Sequence, residues 1–301
     1  MGADMGKGVL HYEIRKGKAY ITGYEGARTE LELPGQIEGC PVRGIARKAF
    51  LGQKGIYSIC VPEGTEEVGD WAFAQCSGLV RICFPGKNIR FGKSVFQGCR
   101  ALRQIVVGDR KQEECPAGGD VSQLLAAAVT MMDAPWLLDL PGAGGAEWLA
   151  KWDARLRTLL ETRDREGYFH QAVCGEEDFC GMEPEAYASG KRKEKVRLAL
   201  LRLLHPQGLE PFLQKELEEY LRSLTRGGRA GEETWQVVWQ EYGGERAYYA
   251  LFAGLGCITR DNFDGILADM GENYPEMKAY FLNAGEACTG EDDFFRELEL
   301  P

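Results

Sequence analysis

The sequence lacks the features that usually identify an enzyme. It contains only three histidines, His11, His170 and His205, in 301 residues. It has no G-x-S-x-G nucleophile motif, no H-E-x-x-H zinc motif, no GxxxxGK[ST] phosphate loop and no G-x-G-x-x-G motif after a strand-like segment. Because these chemistries need particular residues at fixed spacings, the sequence predicts no catalytic residue and no cofactor.

The sequence also lacks an apolar run of the roughly 18 residues needed to cross a bilayer. Its start, MGADMGKGVLHYEI (1–14), has no apolar central region of the kind found in signal peptides, and it continues directly into a strand-like pattern. We therefore expect a cytoplasmic protein without a membrane span. A cell-surface or secreted location stays open for a protein whose leader has been removed.

One short segment contains residue types that bind zinc. The segment HQAVCGEEDFC (170–180) combines His170, Cys174 and Cys180 with three acidic residues. Its spacing matches no established zinc motif, and a fourth ligand is missing from the segment. We predict an acidic loop between helices here, and no metal site.

What the sequence does contain is a repeat of 23 residues. Three segments align without gaps: VRGIARKAFLGQKGIYSICVPEG (42–64), TEEVGDWAFAQCSGLVRICFPGK (65–87) and NIRFGKSVFQGCRALRQIVVGDR (88–110). Apolar residues occupy the same five columns in all three: Ile45, Val68 and Phe91; Phe50, Phe73 and Phe96; Ile56, Leu79 and Leu102; Ile59, Ile82 and Ile105; and Val61, Phe84 and Val107. Because one such unit is too short to enclose a core, the columns must stack between neighbouring units. The repeat predicts a solenoid with one strand and one turn per coil.

The second copy follows the pattern IxxxAFxxCxxLxxIxxP, formed by Val68, Ala72, Phe73, Cys76, Leu79, Ile82 and Pro85. This pattern resembles the BspA-type leucine-rich repeat of bacteria, and residues 20–50 resemble the start of such arrays, where a β-hairpin precedes the first regular repeat. The resemblance covers about residues 9–107. The sequence departs from the pattern at Gln53, where later copies have Cys, and at Gly108, where earlier copies have Pro. The glycine at 108 indicates that the array ends there. The resemblance implies a right-handed β-solenoid of about four coils with a capping hairpin.

Four of the ten cysteines lie in columns of the repeat, which argues against a disulfide framework. Cys76 and Cys99 occupy one column, and Cys60 and Cys83 occupy another. A buried thiol in such a column behaves as a small apolar group. We therefore expect free thiols.

After residue 108 the period ends and the character of the sequence changes. The segment 109–120 has the glycine, proline and charge content of a linker. Beyond it, apolar residues recur at the three- and four-residue steps of amphipathic helices. The patterns at 235–254 and 263–285 resemble helical hairpins of ankyrin-like or other α-solenoid proteins.

The sequence therefore predicts an α+β protein with two domains. A leucine-rich repeat domain with its hairpin cap comprises residues 1–108. An all-helical domain comprises residues 121–301, with helical-hairpin repeats near 232–285. We expect the hairpin at 9–33 to cover one end of the array and the helical domain to cover the other, since an uncovered edge strand promotes aggregation.

Charge is divided unevenly along the chain. Residues 42–110 carry 11 Lys or Arg against 5 Asp or Glu, although the whole chain has a net charge of −10. This division indicates either docking of a basic array on an acidic helical domain or merely an uneven solvated surface. The basic segment GKRKEK (190–195) predicts a solvated first turn of a helix, and we expect no nucleic-acid partner.

Strand alternation predicts which side chains the array presents to a partner. Residues on either side of the inward isoleucine face outward and form two columns: Ser58, Arg81 and Gln104 in one, and Cys60, Cys83 and Val106 in the other. Arginine is favoured at interface hot spots, so these columns are a candidate contact surface. The helical half is an equal candidate for the main contact.

We therefore predict a non-enzymatic protein–protein interaction scaffold with an unidentified protein partner. Two alternatives stay open. The chain is a structural module of a larger assembly, or its helical domain senses a ligand or catalyses a reaction while the repeats recruit a substrate.

Overall fold

The computed structural model describes residues 1–4, 8–108, 121–168, 183–228 and 230–289. The chain divides into two compact units, Met1–Arg155 and Leu156–Pro301. The predicted linker and the acidic loop at 170–180 lie outside the described residues, so both stay predictions. The first unit extends past the repeats and includes the first helices of the chain.

The described part of the first unit contains eleven short strands. They are β1 (Gly2–Asp4), β2 (Gly8–Arg15), β3 (Lys18–Gly26), β4 (Glu30–Glu32), β5 (Gln36–Ile37), β6 (Cys40–Ile45), β7 (Ser58–Cys60), β8 (Glu67–Val68), β9 (Arg81–Phe84), β10 (Arg90–Phe91) and β11 (Gln104–Val107). They form one sheet in the order β1-β2-β3-β6-β8-β10, with β5 beside β6, and a second sheet in the order β4-β7-β9-β11.

The second sheet is parallel, and its register reproduces the repeat. Ser58 lies beside Arg81, and Arg81 lies beside Gln104, so neighbouring strands are offset by one repeat length. The first sheet has the same offset, with Val68 beside Phe91. The predicted solenoid of about four coils is therefore confirmed.

A β-hairpin covers the N-terminal end of the array. Strands β2 and β3 are antiparallel, and β3 then pairs in parallel with β6 of the first regular coil. The turn between them places Lys16 at φ 50° and Gly17 at φ 73°. Two successive positive φ angles are typical of the type I′ turn, whose twist matches that of the flanking strands. The hairpin predicted at this end of the array is confirmed.

The phenylalanine column forms a continuous ladder inside the solenoid. The Phe50 and Phe73 ring centroids are 5.3 Å apart, those of Phe73 and Phe96 are 5.7 Å apart, and both pairs are stacked. The thiols beside this ladder are buried, and Cys76 and Cys99 each donate a hydrogen bond at 3.0 Å to a carbonyl of the preceding coil. The repeat thus forms a dry core from equivalent residues of successive coils.

The turn of each coil also repeats its backbone conformation. Gly52, Gln75 and Gly98 are equivalent and have φ angles of 74°, 59° and 76°. This left-handed conformation costs glycine little, which explains why two of the three copies have glycine there.

Eight α-helices and one 3₁₀ turn follow the strands in the described residues. They are α1 (Ser122–Thr130), the 3₁₀ turn (Pro135–Leu137), α2 (Ala146–Glu161), α3 (Pro184–Leu204), α4 (Pro211–Ser223), α5 (Glu233–Glu241), α6 (Arg246–Gly254), α7 (Arg260–Met270) and α8 (Pro275–Thr289). Helix α1 packs against β11, the last strand of the second sheet. Trp152 of α2 donates a hydrogen bond from Nε1 to the Leu124 carbonyl of α1 at 3.1 Å, which holds α1 in the first unit.

The second unit contains the two predicted helical hairpins, α5–α6 and α7–α8. Their aromatic side chains form its core: Trp235 lies 5.5 Å from Phe252 and 6.1 Å from Phe281, measured between ring centroids. Because these rings are almost fully buried, the aromatic stripe forms core packing in the second unit.

The observed position of the basic segment 190–195 differs from the predicted first turn of a helix. Helix α3 begins at Pro184, a residue suited to the first helical position, so the segment lies inside the helix and not in its first turn. The buried Lys195 ammonium lies 2.7 Å from the Asp164 carboxylate, and Arg192 Nε lies 2.8 Å from Glu233 Oε1. These cations therefore stabilise the second unit.

Candidate functional site

The candidate contact surface is the outer face of the sheet β4-β7-β9-β11, here called the strand face. The central residues of these strands, Leu31, Ile59, Ile82 and Ile105, are buried in the core. Strand alternation places the residues on either side of them on the opposite face. The observed register brings the two predicted columns together and adds Glu30 to the first and Glu32 to the second.

The residues of the two columns differ in how much of their surface solvent can reach. Arg81, Gln104 and Val106 are half-exposed, as a contact surface requires. Ser58, Cys60 and Cys83 are only 7%, 9% and 2% exposed, so they offer little surface to a partner, and their part in the contact stays a prediction.

The reason is the shortness of these three side chains. Ser58 lies between Glu30 and Arg81 on the adjacent strands, whose longer side chains shield it. Cys83 lies between Cys60 and Val106, and its Sγ approaches the Gly108 carbonyl at 3.7 Å. Alternation fixes which face a side chain occupies, but it does not decide whether solvent reaches it.

The Arg81 and Gln104 side chains have no bonding partners within the described chain. Two other arginines of the array are paired: Arg43 donates to the Gly64 carbonyl at 3.0 Å, and Arg90 lies 3.2 Å from the Glu67 carboxylate. In the described residues, the Arg81 guanidinium and the Gln104 amide make no hydrogen bond or ion pair. Their donors are available to a partner.

Tyr57 is a further exposed residue that the strand pattern did not identify. It immediately precedes β7 and is 52% exposed. The equivalent positions in the later copies are Val80 and Arg103, so the column has no common character in the sequence. An exposed aromatic residue beside a candidate contact surface is of the type found at hot spots.

The described residues contain no cluster of three or more His, Cys, Asp or Glu side chains arranged to hold a metal ion. Within the same residues, none of the helices combines the length and the apolar character needed to span a membrane. The hydrogen bond with Cys76 and burial both raise the pKa of the Cys99 thiol, which favours its protonated form.

Comparison with known proteins agrees with the repeat. Residues 29–113 match the family described as BspA type leucine-rich repeat region, with six copies. No curated protein matches the chain.

Several solved structures of leucine-rich repeat proteins are similar to part of the chain. One from T. pallidum is 28% identical, and the match covers 35% of this chain and 54% of that protein, with a TM-score of 0.31. A leucine-rich cell surface protein from Faecalibacterium prausnitzii A2-165 is 24% identical over 36% of this chain and 31% of its own, with a TM-score of 0.31. A leucine-rich repeat protein from Bacteroides ovatus ATCC 8483 is 22% identical over 35% and 29%, with a TM-score of 0.31.

The match therefore spans about half, or less, of the length of these three proteins. The family match covers the coils whose register and phenylalanine ladder are described above. Residues 29–113 form a BspA-type leucine-rich repeat region.

Proposed function

We propose that this chain is a non-enzymatic adaptor that binds a partner protein on the strand face, with Arg81, Gln104 and Val106 at the centre of the contact. Leucine-rich repeat regions are commonly protein-interaction modules, and proteins of such families are generally non-enzymatic. Their general use supports a protein partner but identifies none.

The observation that carries the proposal is the absence of intramolecular partners for Arg81 and Gln104. A guanidinium has five N–H donors, and all of those on Arg81 are unused within the described chain. The half-exposed Val106 lies next to Gln104 along β11 and adds apolar area that a partner can bury.

The charge of the outward side chains changes from one edge of the strand face to the other. Glu30 and Glu32 lie on β4 at one edge of the strand face, whereas Arg81 lies on β9 and the neutral Gln104 on β11. A partner with an acidic group over β9 would gain a charge-assisted hydrogen bond, which is shorter and stronger than a neutral one.

The test is a double substitution, Arg81→Glu with Gln104→Ala. Once a partner has been identified, we expect its affinity to fall at least tenfold, or about 1.4 kcal/mol, when measured by calorimetry. The melting temperature should hardly change, because neither side chain has a bonding partner in the described chain.

The matched control is Lys87→Glu, which reverses a charge at an exposed position between β9 and β10 and away from the strand face. It should leave the affinity unchanged. Equal loss of affinity in the control and the double variant would indicate a general charge effect, and undiminished affinity in the double variant would place the main contact in the helical half.

A further inference from the structure

The coils are joined by hydrogen bonds between their turns, in addition to those of the sheets. In the first pair of coils, Lys48, Phe50 and Gly52 donate their backbone N–H groups to the carbonyls of Asp70, Ala72 and Ala74 at 3.0, 2.7 and 2.9 Å. In the next pair, Trp71, Phe73 and Gln75 donate to Lys93, Val95 and Gln97 at 3.0, 3.1 and 2.7 Å. Each coil therefore presents three donors to the coil that follows it.

In the described residues, no coil follows the last one to accept these bonds. Its equivalent donors are the N–H groups of Ser94, Phe96 and Gly98, one repeat length after Trp71, Phe73 and Gln75. Within the described chain these three N–H groups make no hydrogen bond. Strand β10 is likewise the last strand of its sheet among the described residues.

These donors line a cleft of about 780 Å³ in the first unit. One wall is the turn of the last coil, residues 91–100, and the other comprises the end of α1 and the 3₁₀ turn, with Val129, Met131 and Leu138 as its apolar residues. The volume falls within the range of about 300–1,000 Å³ that is typical of ligand sites. Backbone donors and apolar side chains therefore face one another across an open space.

Trp136 follows the lining residue Pro135 in the 3₁₀ turn but does not itself line the cleft. Its side chain is 61% exposed, and Arg155 Cζ lies 5.9 Å from its ring centroid. Exposed tryptophan is costly in solvent and is enriched at binding hot spots.

We propose that this cleft binds a segment of a partner protein that occupies the position of the next coil. The segment presents backbone carbonyls at alternate residues to Ser94, Phe96 and Gly98, and its apolar side chains contact Val129, Met131 and Leu138. The chain's own coils specify this chemistry, because three carbonyls two residues apart satisfy the equivalent donors of each earlier coil.

A second copy of the chain does not fit as the occupant. At the opposite end of the array the equivalent acceptors are the carbonyls of Arg47, Ala49 and Leu51. The middle one is covered by the hairpin, because Ala49 is buried and its oxygen lies 3.7 Å from the ideal Cβ position of Gly23 in β3. Two cleft-bearing ends meeting each other would oppose donors with donors. The occupant is therefore a different protein.

The experiment uses the full chain, labelled with ¹⁵N, and a synthetic peptide with the sequence of residues 65–80 carrying Cys76→Ser. This peptide contains the carbonyls that satisfy the first regular coil. We expect binding with a Kd below about 1 mM and chemical-shift changes concentrated at the amides of Ser94, Phe96 and Gly98. A scrambled peptide of the same composition should leave these amides unchanged.

Val129→Trp fills the cleft and should raise the Kd at least tenfold. Leu51→Trp, which adds the same ring at an exposed position of the first regular coil, should not. The amide mapping uses the unsubstituted chain, so it tests the proposal even if Val129→Trp fails to fold.

Three results would overturn the proposal. In the first, the scrambled peptide binds equally well. In the second, the peptide leaves the three amides unchanged and shifts those of the strand face. In the third, sedimentation detects a concentration-dependent dimer that Val129→Trp abolishes, which would identify the occupant as a second copy.

Discussion

Replacement of Phe73 by alanine tests the solenoid core most directly. Phe73 is fully buried and is the only member of its column with a stacked ring on each side in the described chain, at 5.3 Å from Phe50 and 5.7 Å from Phe96. Truncation removes a ring from a dry interior and leaves a cavity that rigid neighbouring coils cannot fill. Removing a buried phenylalanine costs about 3–5 kcal/mol.

The position in the ladder makes the magnitude more specific. Each stacked aromatic pair contributes about 0.5–1.5 kcal/mol beyond its burial. Phe73→Ala loses two such pairs, whereas Phe96→Ala loses one in the described chain. We therefore expect Phe73→Ala to lie at the upper end of the range and Phe96→Ala to be less costly by about 1 kcal/mol.

Thermal unfolding followed by circular dichroism measures the melting temperature of both variants, and urea unfolding measures their free energy of unfolding. Because about 1 kcal/mol lowers the melting temperature of a unit of this size by roughly 2–4 °C, Phe73→Ala should lower it by about 6–20 °C. The matched control is Phe212→Ala, whose side chain is 74% exposed and which should change the free energy of unfolding by less than about 0.5 kcal/mol. Unfolding of Phe73→Ala that coincides with that of the unsubstituted chain would refute the register of the solenoid.

Two further predictions concern buried titratable side chains. Stability should be the same with and without reductant, because the described cysteines are free thiols; burial also raises the pKa of Cys257 to about 12, so a thiol reagent at pH 8 should modify it only after unfolding. Several native disulfides in non-reducing mass spectrometry would contradict this. Burial likewise raises the pKa of Tyr249 from 10.0 to about 12, so its contribution to stability is complete below about pH 10 and is lost as the pH rises towards 12. Tyr249→Phe should flatten this decline in pH-dependent melts and, because the buried hydroxyl has no partner within the described residues, stabilise the protein by about 1 kcal/mol at pH 7. An unchanged alkaline decline would contradict the assignment.

The sequence was sufficient to predict the solenoid because the same residue types recur at a constant spacing in several copies. A single Phe73 could lie in a helix, a strand or a loop, but Phe50, Phe73 and Phe96 at a constant offset require equivalent positions on successive coils. The hairpins α5–α6 and α7–α8 were predictable for a related reason, since their apolar spacing is helical and glycines interrupt it.

The contact surface was only partly predictable. The register of the columns follows from the repeat, and the structure places Arg81 beside Gln104 as predicted. Accessibility depends on the lengths of side chains on adjacent strands, which the alternation rule does not contain. Ser58, Cys60 and Cys83 are therefore on the predicted face of the sheet but are buried.

The cleft at the last coil could not be predicted because it arises from the residue at which the repeat stops. A periodic pattern predicts a hydrogen-bond acceptor for the backbone N–H groups of every interior coil. For the final coil, the acceptors depend on the residues that follow the repeat. Here α1 packs on β11 and so covers the second sheet, while the N–H groups of Ser94, Phe96 and Gly98 remain unpaired within the described chain. An uncovered end costs stability, since three donors equivalent to these are satisfied in each earlier coil. Helix α1 covers the second sheet, whereas the turn of the last coil stays open. A further coil can therefore stack on that turn, where a partner's backbone can supply the missing carbonyls.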